Sequence, residues 1–275
     1  MSPPRVRAVS FDLFDTLVDL VWDELPPVRV GGTEVGPSTP ALHGCLGPDC
    51  GVTLEEFAAA LREVDRAFRR ERHALGREVP TRERFAALLR ALGREDPALV
   101  ERLTEVHMGR IRAQVREVAH HPAVLARLRA GRPLAVCSNF TDAATALAIL
   151  DAAALRPHLD AVAISETVGW RKPRREIFEA VLAGLGVAPE ELLHVGDDLE
   201  ADVAGAAALG IRTAWLTRRV ADPAAARARY DGPPPDLSLA DLAELPALLG
   251  GHPGASAPSR DGAPSGRAPR GGVAP

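Results

Sequence analysis

Five short apolar runs, each closed by polar or turn-forming residues, set the strongest limit on the fold of this chain. They are residues 5–12 (RVRAVSFD), 133–138 (PLAVCS), 161–165 (AVAIS), 192–196 (LLHVG) and 212–217 (RTAWLT). Helical patterns at 123–131, 141–154, 174–186 and 200–209 precede or separate the last four. Strands that read as continuous apolar runs and alternate with helices are buried on both faces, as in a parallel sheet with helices on each side. The expected fold class is therefore α/β, with a Rossmann-like parallel sheet.

More than a hundred residues separate the first run from the second. Within them, 53–75, 81–93 and 97–118 carry helical patterns. Thr53 with Glu56 spells a capping box, Thr81 stands where a second cap is expected, and GREDP separates the second helix from the third. Residues 24–51 are rich in Gly and Pro and suggest no regular element. The expected organisation is a core from 1–18 and 119–249, and an inserted all-helical cap at 19–118. Residues 250–275, a Gly, Pro, Ala and Ser tract, form a tail expected to be disordered because it has too little apolar surface to offset the entropy of ordering.

Composition excludes several classes. A formal charge of −4 argues against a general nucleic-acid binder. No apolar run reaches the roughly 20 residues of a membrane-spanning helix, and MSPPRVRAV has neither an apolar segment nor a cleavage pattern of a secretory signal. Three cysteines, Cys45, Cys50 and Cys137, show no disulfide spacing, so a cytoplasmic location is expected. The oligomeric state is not fixed by the sequence.

Open parallel sheets bind ligands beyond the carboxyl ends of their strands. The polar residues there are Asp12 after the first run, Ser138 and Asn139 after the second, and Lys172 within SETVGWRKP after the third. Asp197, Asp198 and Asp202 follow the fourth. A carboxylate can attack phosphorus and carry the group as an acyl phosphate. Clustered acids suit Mg²⁺, a hard ion with oxygen ligands. An ammonium and a hydroxyl suit the equatorial oxygens of a transferring phosphoryl group.

The motifs FDLFDTL, SN, GWRKP and GDDLEAD, in that order, resemble those of the haloacid dehalogenase-like (HAD) superfamily of hydrolases, most closely its REG-2-like branch with a helical cap. The resemblance covers 6–18 and about 119–220 well, and the cap only by position. It implies that Asp12 is the nucleophile and a Mg²⁺ ligand, with the Phe14 carbonyl and Asp197 as further ligands. Asp202, and with it Asp198, would orient the metal site. Ser138 would hydrogen-bond the phosphate, with Asn139 beside it, and Lys172 would neutralise charge on nucleophile and phosphate. The partner would be a small phosphorylated metabolite, selected by the cap.

Phe14 departs from the pattern. Phosphatases that this chain resembles usually carry an acid two residues after the nucleophile, which protonates the leaving group. Asp15 is one residue late, and neighbouring side chains in an extended strand point to opposite faces. Three readings stay open: a phosphatase with a weakened acid step, helped by Asp15 or a cap residue; a dehalogenase, whose halide needs no proton; and a binding module that has lost turnover. Acids in GDDLEAD favour a metal and phosphate, because close carboxylates repel without a cation or proton.

Other residues have plainer readings. Ser138-Asn139 is also compatible with an N-cap of the helix at 141–154. The spacing of His43, Cys45 and Cys50 completes no four-ligand zinc site. His120 and His121 precede Pro122 where the insert rejoins the core, a hinge position. The run RRERHALGRE, with His73, reads as an exposed face, with attraction of anionic substrates as the alternative.

Overall fold

A computed structural model of the chain describes residues 6–21 and 28–250. Ten strands occur among them: β1 (Ala8–Phe11), β2 (Val18–Leu20), β3 (Val28–Val30), β4 (Thr33–Val35), β5 (Val115–Glu117), β6 (Leu134–Ser138), β7 (Ala161–Ile164), β8 (Leu192–Gly196), β9 (Arg212–Leu216) and β10 (Leu237–Leu239). Six of them make one parallel sheet in the order β10-β9-β8-β1-β6-β7. β1 is interior: Val9 lies opposite Leu134 on one side and Leu193 on the other.

The helices are α1 (Thr39–Gly44), α2 (Leu54–Glu71), α3 (Thr81–Ala91), α4 (Pro97–Ala113), α5 (His121–Arg129), α6 (Ala143–Ala152), α7 (Ser165–Val168) and α8 (Arg175–Leu185), followed by further short helices of six residues or fewer. Alternation along the strands divides the core. Val9, Phe11, Val136 and Val195 face Leu125 and Leu128 of α5 and Leu150 of α6. On the other face Ala8, Ala135, Cys137 and Ala163 are small, and α8 brings Ile177, Phe178 and Val181 against them. Small residues under bulky ones let the helix approach the sheet without leaving a void.

Each of the five apolar runs contains a strand, and the ends differ by a few residues at most. Three elements depart from expectation. β10 adds a sixth strand on an edge, too short for a periodic signal. The helix expected at 97–118 stops at Ala113, and the chain continues as β5, which pairs antiparallel with β2. Residues 28–35, within the Gly- and Pro-rich stretch, form a β3–β4 hairpin turned by Gly31 and Gly32 at φ of 55° and 76°, the positive values a two-residue hairpin turn requires. The tail beyond 250 lies outside the described residues.

Helices α1–α4 bury a cluster of their own, with Leu42, Phe57, Leu61, Phe85, Leu88 and Leu103. The Thr53–Glu56 capping box opens α2 as expected. Thr81 does not cap α3; its hydroxyl hydrogen-bonds that of Thr141 at 2.8 Å, and its N–H donates to the Thr141 carbonyl at 2.9 Å. That seam continues through a short stretch before α3. Glu78, with its side chain buried, accepts from Ser165, Arg171 N–H donates to the Gly76 carbonyl, and the Arg77 guanidinium lies 4.0 Å from the centre of the Trp170 ring.

Phe85 is fully buried in the helical cluster. Phe85→Ala should lower the unfolding free energy by about 3–5 kcal/mol through lost burial and a residual cavity, as read by denaturant titration. A loss under about 1 kcal/mol would show that this cluster collapses around the gap.

Candidate active site

The strand-end residues converge. Lys172, 4% exposed, places its ammonium 2.6 Å from Oδ1 of Asp12 and 2.6 Å from Oδ1 of Asp202. Oxygens of Asp12, Asp197 and Asp202 lie within 4.8 Å of one another. These groups come from the loop after β1, the turn after β8, and the loop after α7. Each lies beyond a strand's carboxyl end, so the parallel sheet itself brings them together.

Asp202 is held from three sides. Its Oδ1 also accepts from His194 Nε2 at 3.1 Å, and its Oδ2 accepts from the Asp198 N–H at 3.1 Å. Nε2 therefore carries the imidazole proton, and the Ser10 hydroxyl donates to Nδ1 at 2.9 Å. Gly196 makes room: a Cβ there would stand 2.2 Å from Asp202 Oδ2. The Asp198 carboxylate accepts from the N–H groups of Glu200 and Ala201, which caps the next turn. Asp197 accepts from Thr16 Oγ1 at 3.4 Å, and its carbonyl accepts from the Trp215 indole N–H at 2.8 Å.

Electrostatics follow from this packing. Burial raises Asp12, and Lys172 only partly offsets it. Asp197 is pushed up to about 8, first by burial and then by the Asp12 and Asp202 charges. Burial also acts upward on Asp202, but Lys172 and His194 outweigh it and hold that carboxyl below its ordinary range. Burial alone would lower Lys172; Asp12 and Asp202 instead raise it. With all four groups ionised, three carboxylates face one ammonium, leaving two negative charges. An oxygen-only donor set with that surplus fits a hard divalent cation.

The remaining candidates fall around this centre. Ser138 Oγ is buried and has no hydrogen-bond partner, so this hydroxyl is available to a bound anion. Asn139 uses both ends of its amide on Lys172: Nδ2 donates to the Lys172 carbonyl at 3.0 Å and Oδ1 accepts from its N–H at 2.7 Å. It thereby holds the segment that carries the ammonium. Neither residue caps the following helix; Asp142 does, accepting from Thr145 N–H at 2.8 Å. The Phe14 ring packs against Phe140 with centroids 4.9 Å apart. Asp15 adopts φ of 54° and accepts from Leu20 N–H at 3.2 Å and Arg219 Nε at 3.3 Å. A short polar residue tolerates that left-handed turn, and its carboxylate stands outside the three-acid cluster.

A cavity of about 330 Å³ between the inserted helices and Thr141 is lined by Phe68, Arg69, His73, Thr81, Arg84 and His107 among others. Part of RRERHALGRE therefore faces inward. His43, Cys45 and Cys50 instead bond nearby carbonyls, of Val52, Ala41 and Val52 respectively. Ser10, His194 and Glu78 were not singled out in the sequence. Only a histidine inside the apolar run LLHVG signalled the Asp202 support.

A family model for haloacid dehalogenase-like hydrolases matches residues 6–210, and the chain belongs to that family. Phosphoserine phosphatase of Thermus thermophilus is 41% identical over 95 residues, 34% of this chain and 35% of that protein. Pyrimidine 5'-nucleotidase YjjG of Escherichia coli is 33% identical over 134 residues, 48% of this chain and 57% of its own. The chain thus spans about a third to just over half of these relatives. Among solved structures, a HAD phosphatase from Thermococcus onnurineus aligns with TM-score 0.60 and 23% identity over 89% of this chain and 98% of its own. A 2-haloacid dehalogenase from Pseudomonas syringae aligns at 0.62 and 24%, also over 89% and 98%. Both likenesses describe the fold.

Two outcomes test this geometry. Gly196→Ala should displace Asp202 and cost about 1–3 kcal/mol of stability in denaturant titration; an unchanged midpoint would mean Asp202 tolerates the methyl group. With chelator present, folded Asp197 keeps its proton up to about pH 8, whereas the unfolded carboxyl loses it near 3.8. The folded state then binds more protons, so this contribution to stability falls as pH rises from 3.8 towards 8. The difference in melting temperature between wild type and Asp197→Asn should trace that slope. A difference that does not vary with pH would show Asp197 already ionised in the fold.

Proposed function

We propose that this chain is a Mg²⁺-dependent phosphatase of small phosphate monoesters that works through an aspartyl-phosphate on Asp12. The observation that carries the reading is the buried Lys172 between Asp12 and Asp202, with the unpartnered Ser138 hydroxyl beside a three-carboxylate cluster. Asp12, Asp197 and, as the family resemblance implies, the Phe14 carbonyl would hold Mg²⁺, with Asp202 orienting the group. When bound, the ion neutralises carboxylate and phosphate charge.

Asp12 Oδ attacks phosphorus as the ester oxygen departs; water then attacks the acyl phosphate and restores the carboxylate. Lys172 balances charge on Asp12 and on the phosphoryl oxygens, and Ser138 donates to one of them. Asn139 keeps Lys172 in place. Helices α1–α4, within residues 19–118, act as the lid that shuts out bulk water. Arg69 in the cavity beside Thr141 favours an anionic substrate. We place the enzyme in the cytoplasm, since Cys45, Cys50 and Cys137 are all free thiols.

Phe14 supplies no proton. Missing general acid help costs typically about 10²–10⁴-fold, and acyl or aryl phosphates, whose leaving groups depart as anions, escape most of that loss. The same aromatic position favours a second reading, a dehalogenase, because halide leaves without a proton. The acidic cluster weighs against it.

Hydrolysis of p-nitrophenyl phosphate and acetyl phosphate with Mg²⁺ should be lost in EDTA and in Asp12→Asn. Phe14→Asp should raise turnover of alkyl phosphates more than of acetyl phosphate. Halide release from 2-haloacids in EDTA would establish the dehalogenase reading instead. Failure of every substrate, with Mg²⁺ and a phosphate mimic still raising the melting temperature, would leave a binding module.

A further inference from the structure

A second constellation lies away from the catalytic residues, where the insert rejoins the core. His120 and His121 stand at the start of α5, just after β5, and Asp241 follows β10. Ligand atoms of the three lie within 4.8 Å of one another. His120 Nε2 and Asp241 Oδ1 are 2.7 Å apart, and the two imidazoles meet edge to face with centroids 4.7 Å apart.

His121 is fully buried, and its Nδ1 lies 2.8 Å from the Leu17 carbonyl. A carbonyl only accepts, so Nδ1 carries the proton and Nε2 keeps its lone pair. That Nε2 is buried with no hydrogen-bond partner. A histidine oriented through Nδ1–H to a main-chain carbonyl, with Nε2 unprotonated, is in the state that ligates metals. A buried nitrogen without a partner costs free energy that a bound ligand would offset. Asp241 is also fixed: its Oδ1 accepts from the Ala243 N–H at 2.7 Å, and its own N–H donates to Glu244 Oε1 at 2.9 Å. Arg218, whose charge would oppose a cation here, is held by Asp19 in a two-point ion pair.

We propose that His120, His121 and Asp241 form a binding site for a divalent transition-metal ion of the zinc type, distinct from the oxygen-only cluster at Asp12. Two imidazoles and one carboxylate make a borderline-soft donor set that suits Zn²⁺ and its neighbours and not Mg²⁺. Three protein ligands leave a coordination position for water, and His120 and Asp241 are partly exposed, which gives the ion a path in. The ion replaces the proton that His120 shares with Asp241, and it ties the start of α5 to the turn after β10. This site does not depend on the phosphatase reading.

The test is calorimetric titration of the full chain with Zn²⁺ in excess Mg²⁺, added to compete at the oxygen cluster, with Asp197→Asn as the control for any Zn²⁺ bound there. One binding event per chain is expected, unchanged in Asp197→Asn and weakened more than about tenfold in His120→Ala and in Asp241→Asn. His120 is exposed and Asn is itself a good cap at 241, so both variants should fold; their melting temperatures without metal check this. Co²⁺ in place of Zn²⁺ should give a visible absorption band that both variants lose. Absence of binding, binding indifferent to His120→Ala and Asp241→Asn, or binding abolished by Asp197→Asn would each overturn the site.

Discussion

A lysine ammonium buried between two carboxylates is the interaction on which the rest of this site depends. Lys172 would be expelled from so enclosed a position if it were unpaired, and Asp12 and Asp202 would repel each other without it. The three residues arrive from separate loops and are compatible only together. Much of the surrounding structure reads as support for that triad: Asn139 holds the main chain of Lys172, His194 and the Asp198 amide hold Asp202, and Gly196 keeps clear of it. With Asp197 beside it, the arrangement carries a surplus of negative charge, which suits a divalent cation.

The sheet was legible because burial on both faces leaves no choice in the strand sequences, and the acids at their ends stand out against apolar runs. Asp12, Lys172, Asp197 and Asp202 do come together. What escaped was decided by contacts far apart in the chain. Thr81 has the look of a helix cap, yet its hydroxyl meets Thr141. Asn139 looked like a ligand-side residue, yet its amide matches a peptide group. Asp15 looked like a displaced acid, yet it shapes a left-handed turn and pairs with Arg219. Local pattern names the residue type that a position accepts; the partner is set by which strands end up adjacent.

The seam between the inserted helices and the core also reaches the loop after β6. Glu78 sits with its carboxylate buried against Ser165, and Ser165 in turn bonds both main-chain groups of Phe140. Phe140 packs on Phe14, two residues after Asp12. Withdrawing Glu78 would break its bond to Ser165, the residue that pins Phe140 beside Ser138 and Asn139. The seam and the loop after β6 are thereby coupled through one serine.

The interior place of β1 has a consequence for how the molecule is made. Its four residues are wholly buried, and its partners are Leu134 on one side and Leu193 on the other. During synthesis this apolar segment and Asp12 emerge before β6 and β8 and must wait for both neighbours. The helical insert is complete before either appears, and can fold as a local unit in the meantime. Long-range pairing of this kind slows folding and leaves an adhesive strand exposed. Until β8 has arrived, one edge of β1 stays open to pairing with another chain.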